Sequence, residues 1–179
     1  MTIALDHGPL RERVSRFLAD NPGRLLIGGR WVDASDTFAS LDPATGETLA
    51  QIARASTGDV DAAVRAASAA LESAAWARMR PADRSKLLWR IADVMEEHLD
   101  DLAELETLDQ GKALGTSRFG EVPAAISQFR YYAGWPTKIT GETIPASLTR
   151  TPEGKDVFAY TRREPVGVVA AIVPWNSPL

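Results

Sequence analysis

Cysteine is absent from this chain of 179 residues. These residues therefore supply no disulfide, no thiolate metal ligand and no thiol nucleophile. Histidine is almost absent. His7 and His98 stand far apart with no ligand-type neighbours, and both are expected at solvated or helix-surface positions. No run of basic residues occurs, and 20 Lys plus Arg against 24 Asp plus Glu leave a net charge of −4. That balance argues against a nucleic-acid surface. Long hydrophobic runs are missing as well: the longest, 166–175, falls far short of the roughly 20 residues that cross a bilayer. Residues 1–20 carry Asp6, Arg11, Glu12 and Arg13 in place of a secretory core. No internal repeat or low-complexity tract is visible. These exclusions predict a cytoplasmic protein with no nucleic-acid or membrane partner.

What remains is ordinary globular material, 45% apolar and 25% charged. Leu10, Val14, Phe17 and Leu18 share a helical face, predicting a short helix over 10–19 ended by Asn21, Pro22 and Gly23. Two hairpins follow. Strands at 25–27 and 30–32 flank Gly28 and Gly29, a pair suited to the positive φ of a tight turn. Strands at 37–41 and 48–53 flank the turn chemistry of Asp42, Pro43 and Gly46. Ser56 to Asp59 cap a helix running to about Ser73, with Val60, Val64, Ala67 and Leu71 on one face.

Pro81 opens the next helical stretch. Leu88, Ile91, Met95, Leu99, Leu102 and Leu105 recur at three- and four-residue steps, predicting one long helix or two abutting ones to Gln110, with Gly111 as the stop. The acidic set Glu96, Glu97, Asp100, Asp101 and Glu104 reads as a solvated face of it. Gly111 and Lys112 do not form a phosphate loop, because Glu106 occupies the place of the required glycine and Ala113 follows the lysine. A further helix is predicted over 121–132, and two strands at 139–144 and 157–163 around a linker rich in Ser, Thr, Pro and Gly.

The last sixteen residues read EPVGVVAAIVPWNSPL. Residues 166–173 have the β-branched, two-face-apolar character of a strand inside a parallel sheet, and such strands present ligand chemistry just beyond their carboxyl ends. Trp175 and Asn176 stand there. Read alone, Trp175 is a core residue and Asn176 a turn-capping amide.

This segment, with LDPATGE (41–47), ELETLDQGK (104–112) and RYYAGW (130–135), resembles the aldehyde dehydrogenase superfamily in order and approximate spacing. The resemblance runs from about Leu25 onward and covers the amino-terminal part of such an enzyme, well under half of it. It implies an α/β fold in four pieces: an amino-terminal helical extension (1–24), hairpins and helices of the cofactor-binding domain (25–138), a protruding oligomerisation ribbon (139–163), and the first strand of a Rossmann-like domain leading into the active-site turn (164–179).

The same resemblance implies oxidation of an aldehyde to a carboxylic acid, with NAD or NADP as acceptor, through a cysteine thiohemiacetal. Asn176 matches the oxyanion-hole asparagine, the catalytic residue expected here. Ile172, Val173, Pro174, Trp175 and Asn176 match the stretch that lies against the cofactor, and no metal ligand is expected. The segments GWPTKITGET and REPVGVVAAIVPWN look closest to members acting on phenylacetaldehyde-like substrates. The ribbon implies a homo-oligomer, a dimer or tetramer, in the full-length enzyme. Without a cysteine or the water-activating glutamate the chain is expected to be an inactive fragment that exposes apolar surface and aggregates. Two alternatives stand beside this: a non-catalytic subunit that joins full-length relatives through the ribbon, and acylating or acyl-phosphate chemistry in the same superfamily.

Overall fold

The computed structural model describes residues 10–20, 23–145 and 157–179. Strands β1 (Arg24–Ile27) and β2 (Arg30–Asp33) pair antiparallel across Gly28 and Gly29, whose φ angles of 58° and 76° supply the left-handed turn. Strands β3 (Asp36–Leu41) and β4 (Thr48–Arg54) form a second hairpin whose register shifts between Ser40 and Leu41. Its turn is held by the buried Asp42, whose carboxylate accepts the Ala44 N–H at 2.8 Å.

Helix α1 (Glu12–Asp20) precedes these hairpins, and α2 (Thr57–Glu72) follows them. The start of α2 is a capping box: Ser56 Oγ accepts the Asp59 N–H, and the Asp59 carboxylate accepts the Ser56 N–H at 2.8 Å. Its predicted apolar face forms but stays open, with Val60 and Val64 both exposed. A short turn of helix, α3 (Ala74–Ala77), leads to α4 (Pro81–Glu97), which Pro81 opens at its first position. The long apolar periodicity resolves into two helices: α4 stops at His98, and α5 (Leu99–Gln110) begins immediately after.

Beyond Gly111 lie α6 (Leu114–Thr116), a π-turn at Ser117–Glu121, and α7 (Val122–Ala133). The π-turn was not foreseen. Pro123 has no N–H to return to Phe119, and widening the preceding turn to the Val122-to-Ser117 bond accommodates that loss. Ala92 of α4, Ala103 of α5, and Val122 and Ile126 of α7 form the core, with Met95, Leu99, Leu102 and Phe129 packed around it. Small alanines at this crossing let the three helices approach closely.

Charge holds the same helices from outside. Arg130 of α7 reaches Glu96 and Asp93 on α4 and lies over the Trp89 ring at 5.7 Å. Hydrogen bonding from Arg130 holds the Glu96 carboxyl below its ordinary range. Asp100 is held low in the same way by Arg118, which bonds it at 2.6 Å, while Arg11 reaches it at 3.1 Å. The acidic set is thus distributed among arginines, not simply solvated. His98 lies at the surface as expected, with Nδ1 3.3 Å from Asp101.

Two expectations are corrected. The strands predicted at 139–144 and 157–163 reduce to β5 (Thr143–Ile144) and β6 (Ala159–Tyr160), paired antiparallel. Pro145 cannot extend a ladder as a donor. At Gly141 the chains run so close that a Cβ there would stand 1.9 Å from the Thr161 carbonyl oxygen. The linker expected between them falls largely on 146–156, outside the described residues. The second correction concerns 166–173, which form no strand. A strand buried on both faces takes its backbone partners and its covering layers from distant segments, and among the described residues none pairs with it. Val166 is 89% exposed and Ile172 fully exposed.

Candidate active site

Trp175 and Asn176 form a turn that follows residues 161–174, a stretch without regular secondary structure. What fixes this turn to the helices is Lys112. Helix α5 ends where Gly111 enters the left-handed region, at φ 83°, and its N–H closes back on the Thr107 carbonyl at 2.8 Å. That reversal sends the Lys112 side chain back along α5, where Nζ donates to Glu106 Oε1 at 2.8 Å. The same ammonium donates to the backbone carbonyl of Asn176, also at 2.8 Å, and lies 3.6 Å from Glu121 Oε1.

Both members of the Lys112–Glu106 pair are sequestered, their side chains 9% and 2% exposed. One cation therefore stands between two carboxylates and a carbonyl, a set that water cannot easily replace. Glu106 Oε2 is buried and has no hydrogen-bond partner among the described residues. The end of α5 is braced from the other side by the β3–β4 hairpin. Ser40 Oγ donates to Asp109 Oδ1 at 3.1 Å, and Pro43 packs so tightly on Gly111 that a Cβ there would meet it at 2.6 Å. Beyond the turn, Pro178 and Leu179 line an apolar cavity of about 250 Å³ with Phe17, Ile52, Leu102 and Leu105.

The predicted site residues are thus contiguous but unequal. Asn176 is anchored through its carbonyl and lies at the surface. Ile172, Val173 and Trp175 are 100%, 59% and 77% exposed, and Pro174 is exposed with them. Trp175, a core residue when read alone, is not one in this chain. Lys112 and Glu106 were missed as site residues. Their signal is the spacing of an acid and a base across a helix-stopping glycine, which folds the two together.

The sequence model of the Aldehyde dehydrogenase family matches residues 31–179. The chain belongs to the aldehyde dehydrogenase family. It is 49% identical over 160 residues to a phenylacetaldehyde dehydrogenase of Pseudomonas fluorescens, covering 88% of this chain and 32% of that protein. It is 43% identical over 158 residues to aldehyde dehydrogenase family 2 member B4, mitochondrial, of Arabidopsis thaliana, covering 87% of this chain and 28% of that one. An aldehyde dehydrogenase of Bacillus cereus solved in complex with NAD+ superposes with a TM-score of 0.80 at 42% identity, over 88% of this chain and 31% of that chain. The chain thus spans about a third of the length of the dehydrogenases it matches. Its helices and short sheets fit the α/β fold of these aldehyde dehydrogenases.

Proposed function

We propose that this chain contributes the oxyanion-hole amide and one wall of the cofactor site to an NAD(P)-dependent aldehyde dehydrogenase, which oxidises an aldehyde to a carboxylic acid through a cysteine thiohemiacetal. The observation that carries this reading is Asn176, a carboxamide on an anchored surface turn within the segment matched to the family. When a thiolate attacks an aldehyde, the carbonyl oxygen gains negative charge, and a fixed N–H donor stabilises it more than it stabilises the substrate. The Asn176 NH2 provides that donor. Being neutral, it leaves no cation behind to retain the carboxylate product.

Ile172, Val173, Pro174, Trp175 and Asn176 form the proposed cofactor wall. Their exposed, largely apolar side chains are what this reading offers to the cofactor. NAD or NADP, when bound, supplies the acceptor for the departing hydride. The nucleophilic thiol comes from outside these 179 residues, since no cysteine is among them, and this reading draws the water-activating carboxylate from there as well. The chain by itself is therefore inactive in this reading. The pieces 1–24, 25–138 and 139–163 take the roles that the resemblance gives them, with β5 and β6 as the root of a ribbon joining subunits into a dimer or tetramer in the cytoplasm, while 164–179 supplies the active-site turn. A phenylacetaldehyde-like substrate is favoured by the name of the 49% identical relative.

Reading the native coding frame past the Leu179 codon tests this directly. An open frame encoding a cysteine, a glutamate and a glycine-rich turn is expected. An immediate stop codon would favour a non-catalytic subunit.

A further inference from the structure

We infer that Lys112 is a positioning residue for the active-site turn: held by Glu106, its ammonium fixes the Asn176 backbone and so sets where the Asn176 amide is presented. This rests on the reading of Asn176 as an oxyanion donor, and it adds a residue that does not itself touch substrate.

Residues 161–174 form no strand, so no sheet ladder delivers Asn176 to its place. A lysine has three donors on a flexible stem and ordinarily samples many rotamers. Here the stem is buried, and Glu106 Oε1 takes one donor at 2.8 Å from a carboxylate that is itself almost fully enclosed. With the ammonium fixed, the bond to the Asn176 carbonyl is made by a group that has already lost its freedom. Glu121 Oε1 lies 3.6 Å from the same ammonium on its other side. Fixing a carbonyl on one residue leaves its carboxamide only two side-chain torsions to settle.

Amide ¹⁵N relaxation provides the test, with Ile172→Asp carried in the parent and in every variant to limit self-association through the exposed 166–175 surface. Lys112→Met alone would leave Glu106 buried and unpaired, so the informative variant is Lys112→Met with Glu106→Gln, which removes the donor and the charge together. Order parameters of the Trp175, Asn176 and Ser177 amides are expected near about 0.85 in the parent and below about 0.6 in the double variant. Those of α7 should stay at the parent level. Lys112→Arg, which keeps a donor, is expected to retain the order of the turn. Unchanged order at 175–177 in the double variant overturns the inference. Equal loss across α7 and the turn also overturns it, by making Lys112 a general stabiliser. If Asn176 proved dispensable for turnover, the oxyanion reading would fail while the relaxation result stood.

Discussion

Lys112 Nζ and Glu106 Oε1 lie 2.8 Å apart with both side chains nearly excluded from water. Taking two charges into such a place costs solvation that only good pairing offsets, and losing one partner strands the other. Lys112→Met alone is therefore expected to destabilise the chain by about 3–5 kcal/mol. Adding Glu106→Gln should recover most of that loss. Urea unfolding of the parent, the single and the double variant measures both, and a single variant as stable as the parent contradicts the burial of this pair.

Gly111→Ala tests the turn that brings the two together. The left-handed conformation at φ 83° costs a non-glycine residue roughly 1–2 kcal/mol, and the new methyl would stand 2.6 Å from Pro43 Cγ. A lower melting temperature is expected, with Pro43→Ala partly restoring it. A restoring effect of zero would mean that the clash is relieved elsewhere.

Acid should loosen the contact of α7 with α4. The Glu96 carboxyl is held low by hydrogen bonds from Arg130 and then by the attraction of its charge. An unfolded glutamate titrates near about 4.3. A depressed folded value contributes stability that is fully present above the unfolded pKa and is lost as pH falls through the folded one. The stability gap between parent and Glu96→Gln is thus expected to be constant near neutrality and to close below about pH 4. Urea midpoints measured across pH would show it, and a gap independent of pH would remove Arg130 as the cause.

Open apolar surface at 166–175 should drive self-association. Val166, Val169, Ile172 and Trp175 are all largely exposed, a patch of the kind that marks a missing partner or an aggregation hazard. Light scattering is expected to rise steeply with concentration and to fall for Ile172→Asp. A monodisperse monomer at every concentration would contradict this.

Local chemistry explains what could be read in advance. Gly28 with Gly29, the Ser56–Asp59 box, Pro81 and Gly111 act within a few residues of themselves, so the hairpins, the α2 cap and the end of α5 were legible. The strand expected over 166–173 depends on neighbours far along a chain, and composition alone announces its burial without supplying them. Asn176 was singled out by its motif, while the residue that holds it was not. Lys112 looked like part of a failed phosphate loop, because its meaning depends on Glu106 six residues earlier and Asn176 much later in the chain.

The central claim is that Asn176 stabilises the oxyanion in aldehyde oxidation. It is tested most directly in a hybrid that places residues 31–179 in the matching segment of the Bacillus cereus aldehyde dehydrogenase, 42% identical to this chain. NADH formation from an aldehyde is then followed with Asn176 and with Asn176→Ala. Loss of one such donor is expected to lower kcat by about a hundred- to a thousandfold. A folded Asn176→Ala hybrid that turns over as fast as its parent would contradict the account.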